Sequence, residues 1–177
     1  MLEEQLSQSF SPESKSNIDN QGIAIIDNNM YIYGIVHNES GVPDSAQIIK
    51  TSLEGNVLWK KYYSYASSGL TINNLQATPD GNLAFIFQIN SPNGANNGFD
   101  GTQLIKIDTA GNVLNTFTFG DTNRQPNRLL VTSNNRYVFS SIRNPFDYYD
   151  SAQPGRIHNM NALMDSLEWS SLCLMTN

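Results

Sequence analysis

The sequence predicts an all-β, β-propeller-like fold made of three four-stranded antiparallel blades. Three observations predict this fold class: an internal repeat, turn sequences at fixed places in each repeat, and short apolar runs between the turns. Helical periodicity is weak throughout the 177 residues. An antiparallel meander of four strands is the unit that propellers repeat around an axis.

The internal repeat is clearest in Gln47–Leu58 and Gln103–Leu114, which align without a gap and share seven identities in twelve positions. Three positions of the second unit recur together in the third: Leu75, Thr78 and Phe85 correspond to Leu129, Thr132 and Phe139. Ile23–Tyr33 fits the same template, with Ile23 in the place of Leu75. The units predicted as blades one, two and three are residues 18–66, 67–122 and 123–177.

Residues 1–17 precede the first unit, and they allow two interpretations. Leu6–Phe10 lies where the fourth strand of a preceding unit would fall, so it could form an extra strand that pairs with another sheet. A solvated tail is the plainer alternative. The sequence leaves both open.

Blades one and two follow one pattern of strands and turns. The predicted strands of blade two are Ile72–Thr78, Leu83–Ile89, Gln103–Asp108 and Val113–Phe119. Pro79 presets φ for the first turn, and Gly55, Gly81 and Gly111 supply positive φ in their turns. The near-continuous apolar run Leu83–Phe87 indicates a strand that is covered on both faces.

Blade three keeps the pattern with changes. Its predicted strands are Gln125–Thr132, Arg136–Ile142, Arg156–Asn161 and Ser166–Leu172. The last turn has Leu163-Met164-Asp165 where the other units have Gly-Asn. Trp169 falls on the fourth strand, as Trp59 does in blade one, and both are interpreted as packing between blades rather than as ligand platforms.

Composition excludes several functions. The formal net charge is −6 and the ten basic residues are scattered, whereas a nucleic-acid interface needs clustered Lys and Arg. Cys173 is the only cysteine, so no internal disulfide forms, and no metal or cofactor is predicted. No apolar run is long enough to span a membrane. Because the N-terminus lacks a basic start and an apolar middle, the sequence predicts either a cytoplasmic protein or one whose leader has been removed.

Two phrases resemble a known repeat: Ile49–Trp59 and Thr78–Leu83. They are similar to bacterial propeller repeats that are frequent in secreted and cell-surface proteins of Bacteroidetes-type bacteria. The resemblance implies the propeller architecture and an extracellular or cell-surface location, and it says little about activity. Propellers close with about four to eight blades. Three blades therefore imply a propeller fragment, an open stack, or a ring completed by a homodimer or a larger assembly.

Candidate chemistry lies mainly in three predicted loops on one face, between the second and third strands of each blade: His37–Ala46, Asn90–Gly101 and Arg143–Gly155. The candidate binding residues are Phe99, Asp100, Phe146, Tyr148 and Tyr149, since aromatic and acidic loop residues suit sugar stacking or protein contact. No catalytic residue is predicted, because neither His37 nor His158 has a recognisable triad spacing.

These patterns favour a non-enzymatic binding, interaction or cell-surface structural module that uses its loop face. The alternative is a carbohydrate-active enzyme or glycan-binding protein with a loop-built site. The expected partner is a protein or a glycan, without nucleic acid and without a membrane span.

Overall fold

The computed structural model describes residues 18–64, 70–90, 99–119, 124–143 and 155–173. Over these ranges the chain forms twelve β-strands and no helix. The strands are β1 Ile18–Ile26, β2 Asn29–His37, β3 Pro43–Ser52, β4 Val57–Ser64, β5 Leu70–Ala77, β6 Leu83–Asn90, β7 Phe99–Ile107, β8 Val113–Phe119, β9 Arg124–Val131, β10 Tyr137–Arg143, β11 Gly155–Met160 and β12 Leu167–Cys173.

The strands form three four-stranded antiparallel sheets in simple sequential order. β1–β4 make the first sheet, β5–β8 the second and β9–β12 the third. The predicted fold class of three antiparallel blades is therefore confirmed. Within the described residues, no helix is long and apolar enough to cross a membrane.

The sheets stack so that the first strand of each lies against the preceding sheet. β5 contacts β1, β2 and β3, and β9 contacts β5, β6 and β7. The strands β1, β5 and β9 are thus the inner strands of a propeller arrangement, and the fourth strands lie outermost.

The apolar run on β6 shows why the second blade is covered on both faces. Successive side chains of a strand point to opposite faces. Leu83, Phe85 and Phe87 pack into one buried cluster with blade one, whereas Ala84 and Ile86 pack into another with blade three. Each of these five side chains is at most 1% exposed. The prediction of a strand covered on both faces is confirmed.

Trp59 packs between blades one and two, as predicted. Its Nε1–H donates to the backbone oxygen of Thr109 at 3.0 Å, in the turn between β7 and β8. The hydroxyl of Tyr63, also on β4, donates to the backbone oxygen of Gly111 at 3.0 Å. The side chain of Trp169 lies outside the described part of the chain, so its predicted role stays a prediction.

The predicted loop His37–Ala46 is wrong over its second half, because β3 already begins at Pro43. Polar residues such as Ser45 do not indicate a strand by their propensity, but Ser45 pairs with Val36 in the antiparallel ladder. The connection shrinks to residues 38–42, where the Asn38 Oδ1 accepts the backbone N–H groups of Ser40 and Val42 at 3.0 Å. Such a side-chain cap replaces backbone pairing in a tight turn.

Met164 explains how blade three manages without a glycine in its last turn. Its backbone has φ of 58°, in the left-handed region that Gly55 and Gly111 occupy at 89° and 81°. That conformation costs about 1–2 kcal/mol for a residue with a side chain. The side chain is only 2% exposed and joins the core of blades two and three, which offsets the strain.

Asp80, in the turn before β6, makes the stability of the chain pH-dependent. Partial burial alone would raise the pKa of Asp80, but hydrogen bonds from Lys106 and Thr78 and the charge of Lys106 outweigh it and hold the pKa at about 2. The unfolded carboxyl titrates near 3.8. Because the unfolded state takes up the proton first, this stabilisation is complete above about pH 5 and is lost as the pH falls through 2.

Asp80→Asn is expected to remove that dependence. The equivalent turn of blade three carries Asn134, whose side chain bonds Thr132 as Asp80 bonds Thr78, so the turn itself tolerates the amide. Since Asp80 is more than a third exposed, the loss at pH 7 is on the order of 1 kcal/mol. Urea unfolding at pH 7 and at pH 3 should show a smaller difference between the two pH values in the variant. An unchanged difference would contradict this assignment.

Candidate functional site

The three inner strands carry β-bulges near equivalent positions. The ladder shifts between Asn20 and Gly22 on β1, and between Asn73 and Gln76 on β5. On β9 the residues Pro126 and Arg128 pair with adjacent residues of β10, which leaves Asn127 as the extra residue. A bulge turns a side chain out of the regular alternation and is frequent beside functional sites.

The bulges bring polar side chains of all three blades to one cavity of about 240 Å³. We name it the axial amide site; its lining residues are Gln21, Tyr33, Asn73, Asn74, Asn127 and Arg128. Four are amides, one is a phenol and one is a guanidinium. Amides both donate and accept hydrogen bonds, so the site offers donors and acceptors on several sides.

The two amides of blade two hold the site together. Asn73 Nδ2 donates to the backbone oxygen of Pro126 at 3.3 Å, and Asn74 Nδ2 donates to that of Leu129 at 2.7 Å. Asn74 also has φ of 57°, a conformation that Asn tolerates better than most residues. These contacts bind β5 to β9. The side chains of Gln21, Asn127 and Arg128 are exposed.

Tyr33 lies close over the backbone of β1. A Cβ atom built on Gly22 would come within 2.3 Å of the Tyr33 hydroxyl oxygen. Gly22 therefore leaves the space in which the phenol ring sits. The half-buried ring contributes an aromatic surface and a hydroxyl to the site.

The lining carries one positive charge, on Arg128, and no carboxylate. Hydrolysis of a glycosidic bond usually needs two carboxyl groups about 5–10 Å apart. The described lining therefore offers hydrogen-bonding groups and one cation, and it contains no such pair of carboxyl groups.

The two histidines lie elsewhere. His158 and Ser141 form a hydrogen-bonded pair at 2.8 Å, a contact that the sequence spacing did not reveal. Both are almost fully buried, at 0% and 2% exposure, and His158 packs between Phe119 and Phe139, so no substrate reaches them.

His37 lies at the end of β2 and ties together the start of the first blade. Its Nε2 is 3.0 Å from the Asp19 carboxylate, and its Nδ1–H donates to the Gly41 backbone oxygen at 3.0 Å. These contacts hold the turn at residues 38–42 against β1. Among the described residues, no group of three His, Cys, Asp or Glu could hold a metal ion.

The residues predicted to bind a ligand are not tested by the structure. Phe146, Tyr148 and Tyr149 lie outside the described residues. Phe99 and Asp100 are on β7, but their side chains lie outside the described part. The axial amide site was missed, although its signal is in the repeat: Gln21, Asn73 and Asn127 are amides at equivalent positions of the three units.

Comparisons with known proteins support the fold. No family model matches the chain, and a search of curated proteins found no match. A solved GH43 β-xylosidase/α-arabinofuranosidase from a compost microbial metagenome, in complex with xylotriose and calcium-free, is similar with a TM-score of 0.59 and 12% identity. A GH43_1 enzyme from Xanthomonas citri, complexed with xylotriose, is similar with a TM-score of 0.59 and 10% identity.

The match covers 89% of this chain and 59% of the metagenomic enzyme, and 90% of this chain and 56% of the Xanthomonas citri enzyme. The chain thus spans less than two thirds of either protein. Both are five-bladed β-propellers, so the chain is a three-blade propeller fragment in architecture.

The comparison also corrects the functional prediction. The favoured interpretation, a non-enzymatic interaction or cell-surface structural module, is wrong: the similar structures are glycoside hydrolases that bind xylotriose. The finding supports the carbohydrate-active alternative instead.

Proposed function

We propose that this chain is a carbohydrate-active β-propeller that binds a glycan at the axial amide site. One observation carries the proposal: bulges on all three inner strands gather amide side chains around one cavity. Sugar hydroxyls both donate and accept hydrogen bonds, and amides match both roles. The xylotriose bound by the structurally similar enzymes supports the same ligand class.

The size of the cavity indicates how a glycan would enter. At about 240 Å³ it is smaller than the pockets of about 300–1,000 Å³ that enclose drug-sized ligands. It therefore takes one terminal sugar, with the rest of the chain leaving through the open mouth. Tyr33 provides the surface against which a sugar ring packs, and Gln21 and Asn127 bond its hydroxyls.

Removing the two exposed amides tests the proposal. The double variant Gln21→Ala, Asn127→Ala is expected to lower the affinity for xylotriose about tenfold or more, because each lost hydrogen bond contributes about 1 kcal/mol. Isothermal titration calorimetry measures the change. Gln103→Ala is the matched control: this amide bonds Thr118 on β8 and lies outside the cavity. Unchanged affinity in a folded double variant would overturn the proposed site.

We also propose a source and a cellular location for the protein. The repeat phrases Ile49–Trp59 and Thr78–Leu83 support a bacterial origin and an extracellular or cell-surface location. Detection of the native protein in culture supernatant or on intact cells, against a cytoplasmic marker, would test the location. Recovery in the cytoplasm alone would contradict it.

Over the residues that the structure describes, the outer faces of the first and last blades carry exposed apolar groups, which supports a second copy of this chain as the protein partner. Ile23 on β1 is 63% exposed, whereas its repeat equivalents Leu75 and Leu129 are each 3% exposed because they pack on a preceding blade. On blade three, Val138 and Ser140 line an open groove of about 400 Å³. The equivalent residues of blade two are covered by the next blade. Two copies would place each Ile23 in the groove of the other and close a six-bladed ring.

The mass of the protein in solution tests this pairing. Light scattering during gel filtration is expected to give a dimer, and Ile23→Asp is expected to give a monomer. Leu163→Asp is the control, since Leu163 is 70% exposed on a hairpin turn away from that face. A monomeric native chain would overturn the pairing and leave further blades as the cover of both faces.

A further inference from the structure

We infer that the axial amide site selects a sugar that carries a carboxylate, a uronic acid, through Arg128. The inference rests on the proposed glycan site and names its ligand class. Arg128 follows the bulged Asn127 on β9 and is exposed in the cavity. It is the only charged residue among those that line the site.

The guanidinium of Arg128 has no ion-pair or hydrogen-bond partner in the part of the chain that the structure describes. Of the other described arginines, Arg136 is paired with Glu168. Asp19, the acidic residue nearest in sequence to the site on β1, is engaged with His37. A planar guanidinium offers a fork of N–H donors that fits a carboxylate with two parallel bonds.

The remaining lining groups are neutral and suit the rest of the same sugar. Gln21 and Asn127 can bond ring hydroxyls, and the Tyr33 ring can cover an apolar face. No described carboxylate lines the cavity to repel an acid. This local arrangement differs from the protein as a whole, whose formal net charge is −6. An anionic ligand is thus recognised by short-range contacts with Arg128 and not by the long-range field.

Two matched oligosaccharides test the inference: xylotriose, and xylotriose substituted with one glucuronic acid. Calorimetry on the intact chain in 25 mM and 300 mM NaCl is expected to show about tenfold tighter binding of the acidic sugar at low salt, with a smaller preference at high salt. Arg128→Gln is expected to abolish the preference, so that the two sugars bind this variant with equal affinity. Arg128→Lys keeps the positive charge but lacks the planar set of N–H donors that binds a carboxylate with two bonds, so it should retain part of the preference.

Arg136→Gln removes the same charge outside the site and is the control for net charge; its preference should match that of the native chain. Equal affinity of the native chain for both sugars would overturn the uronic-acid inference while leaving glycan binding in place. Binding of neither sugar would overturn the proposed function itself. A preference that survives in Arg128→Gln would assign acid recognition to another residue and also overturn the inference.

Discussion

Gly34→Ala is expected to destabilise the chain by about 3 kcal/mol, the upper range for overpacking a tight site. Gly34 is buried on β2 opposite Asn20, beside the bulge of β1. A Cβ atom there would come within 2.4 Å of the Asp19 backbone oxygen and 3.0 Å of the Asn20 Cα. Backbone atoms cannot turn aside as a flexible side chain can, so the hairpin must open or lose its bulge.

Thermal and urea unfolding measure this effect. For a chain of this size about 3 kcal/mol corresponds to a fall in Tm of roughly 6–12 °C. Gly41→Ala is the control: its φ of 75° carries strain, but a Cβ atom there meets nothing within 4 Å. We expect it to cost about 1–2 kcal/mol. Equal losses in the two variants would show that the close approach of β1 and β2 does not limit stability.

Gly111→Ala is expected to cost about 2–3 kcal/mol, from backbone strain and overpacking together. Its φ of 81° strains any residue with a side chain, by about 1–2 kcal/mol. A Cβ atom would also come within 2.8 Å of Lys61 Cγ and 3.2 Å of the Trp59 ring. The blade-two turn would be pushed away from Trp59, which would weaken the hydrogen bonds from Trp59 and Tyr63 that cross between the blades.

Gly81→Ala measures the loss of unfolding free energy that comes from backbone strain alone. Gly81 has nearly the same φ, 78°, in the other turn of blade two, and a Cβ atom there meets nothing within 4 Å. The difference in unfolding free energy between the two variants therefore measures the contact between blades. We expect it to be about 1 kcal/mol. If the two variants lose the same unfolding free energy, the contact between Trp59 and this turn adds nothing to the cost of Gly111→Ala, and the prediction is wrong.

Predictions on the fold succeeded where the signal was local. The near-continuous apolar run on β6 and the positive-φ glycines of the turns are properties of short segments, and each appears in the structure as predicted. The start of β3 was predicted wrongly because Asp44 and Ser45 have weak strand propensity. Their strand is imposed by pairing with β2, which is a contact between distant parts of the sequence.

The candidate site could be predicted only in part. The amides Gln21, Asn73 and Asn127 stand at one position of the repeat, so the sequence does carry their signal. The bulges that bring them to one cavity, and the glycine that admits Tyr33, are not visible in single residues.

The sequence by itself determined that the chain is a series of four-stranded meanders, because the repeat, the turn residues and the short apolar runs between them depend on neighbours along the chain. Only the tertiary structure decided which side chains meet. Stacking the sheets sets the inner strands side by side, so amides from three different blades share a cavity, while a Ser–His pair is buried beyond the reach of any ligand. Chemistry at this site depends on distances between blades, and those distances are fixed by packing.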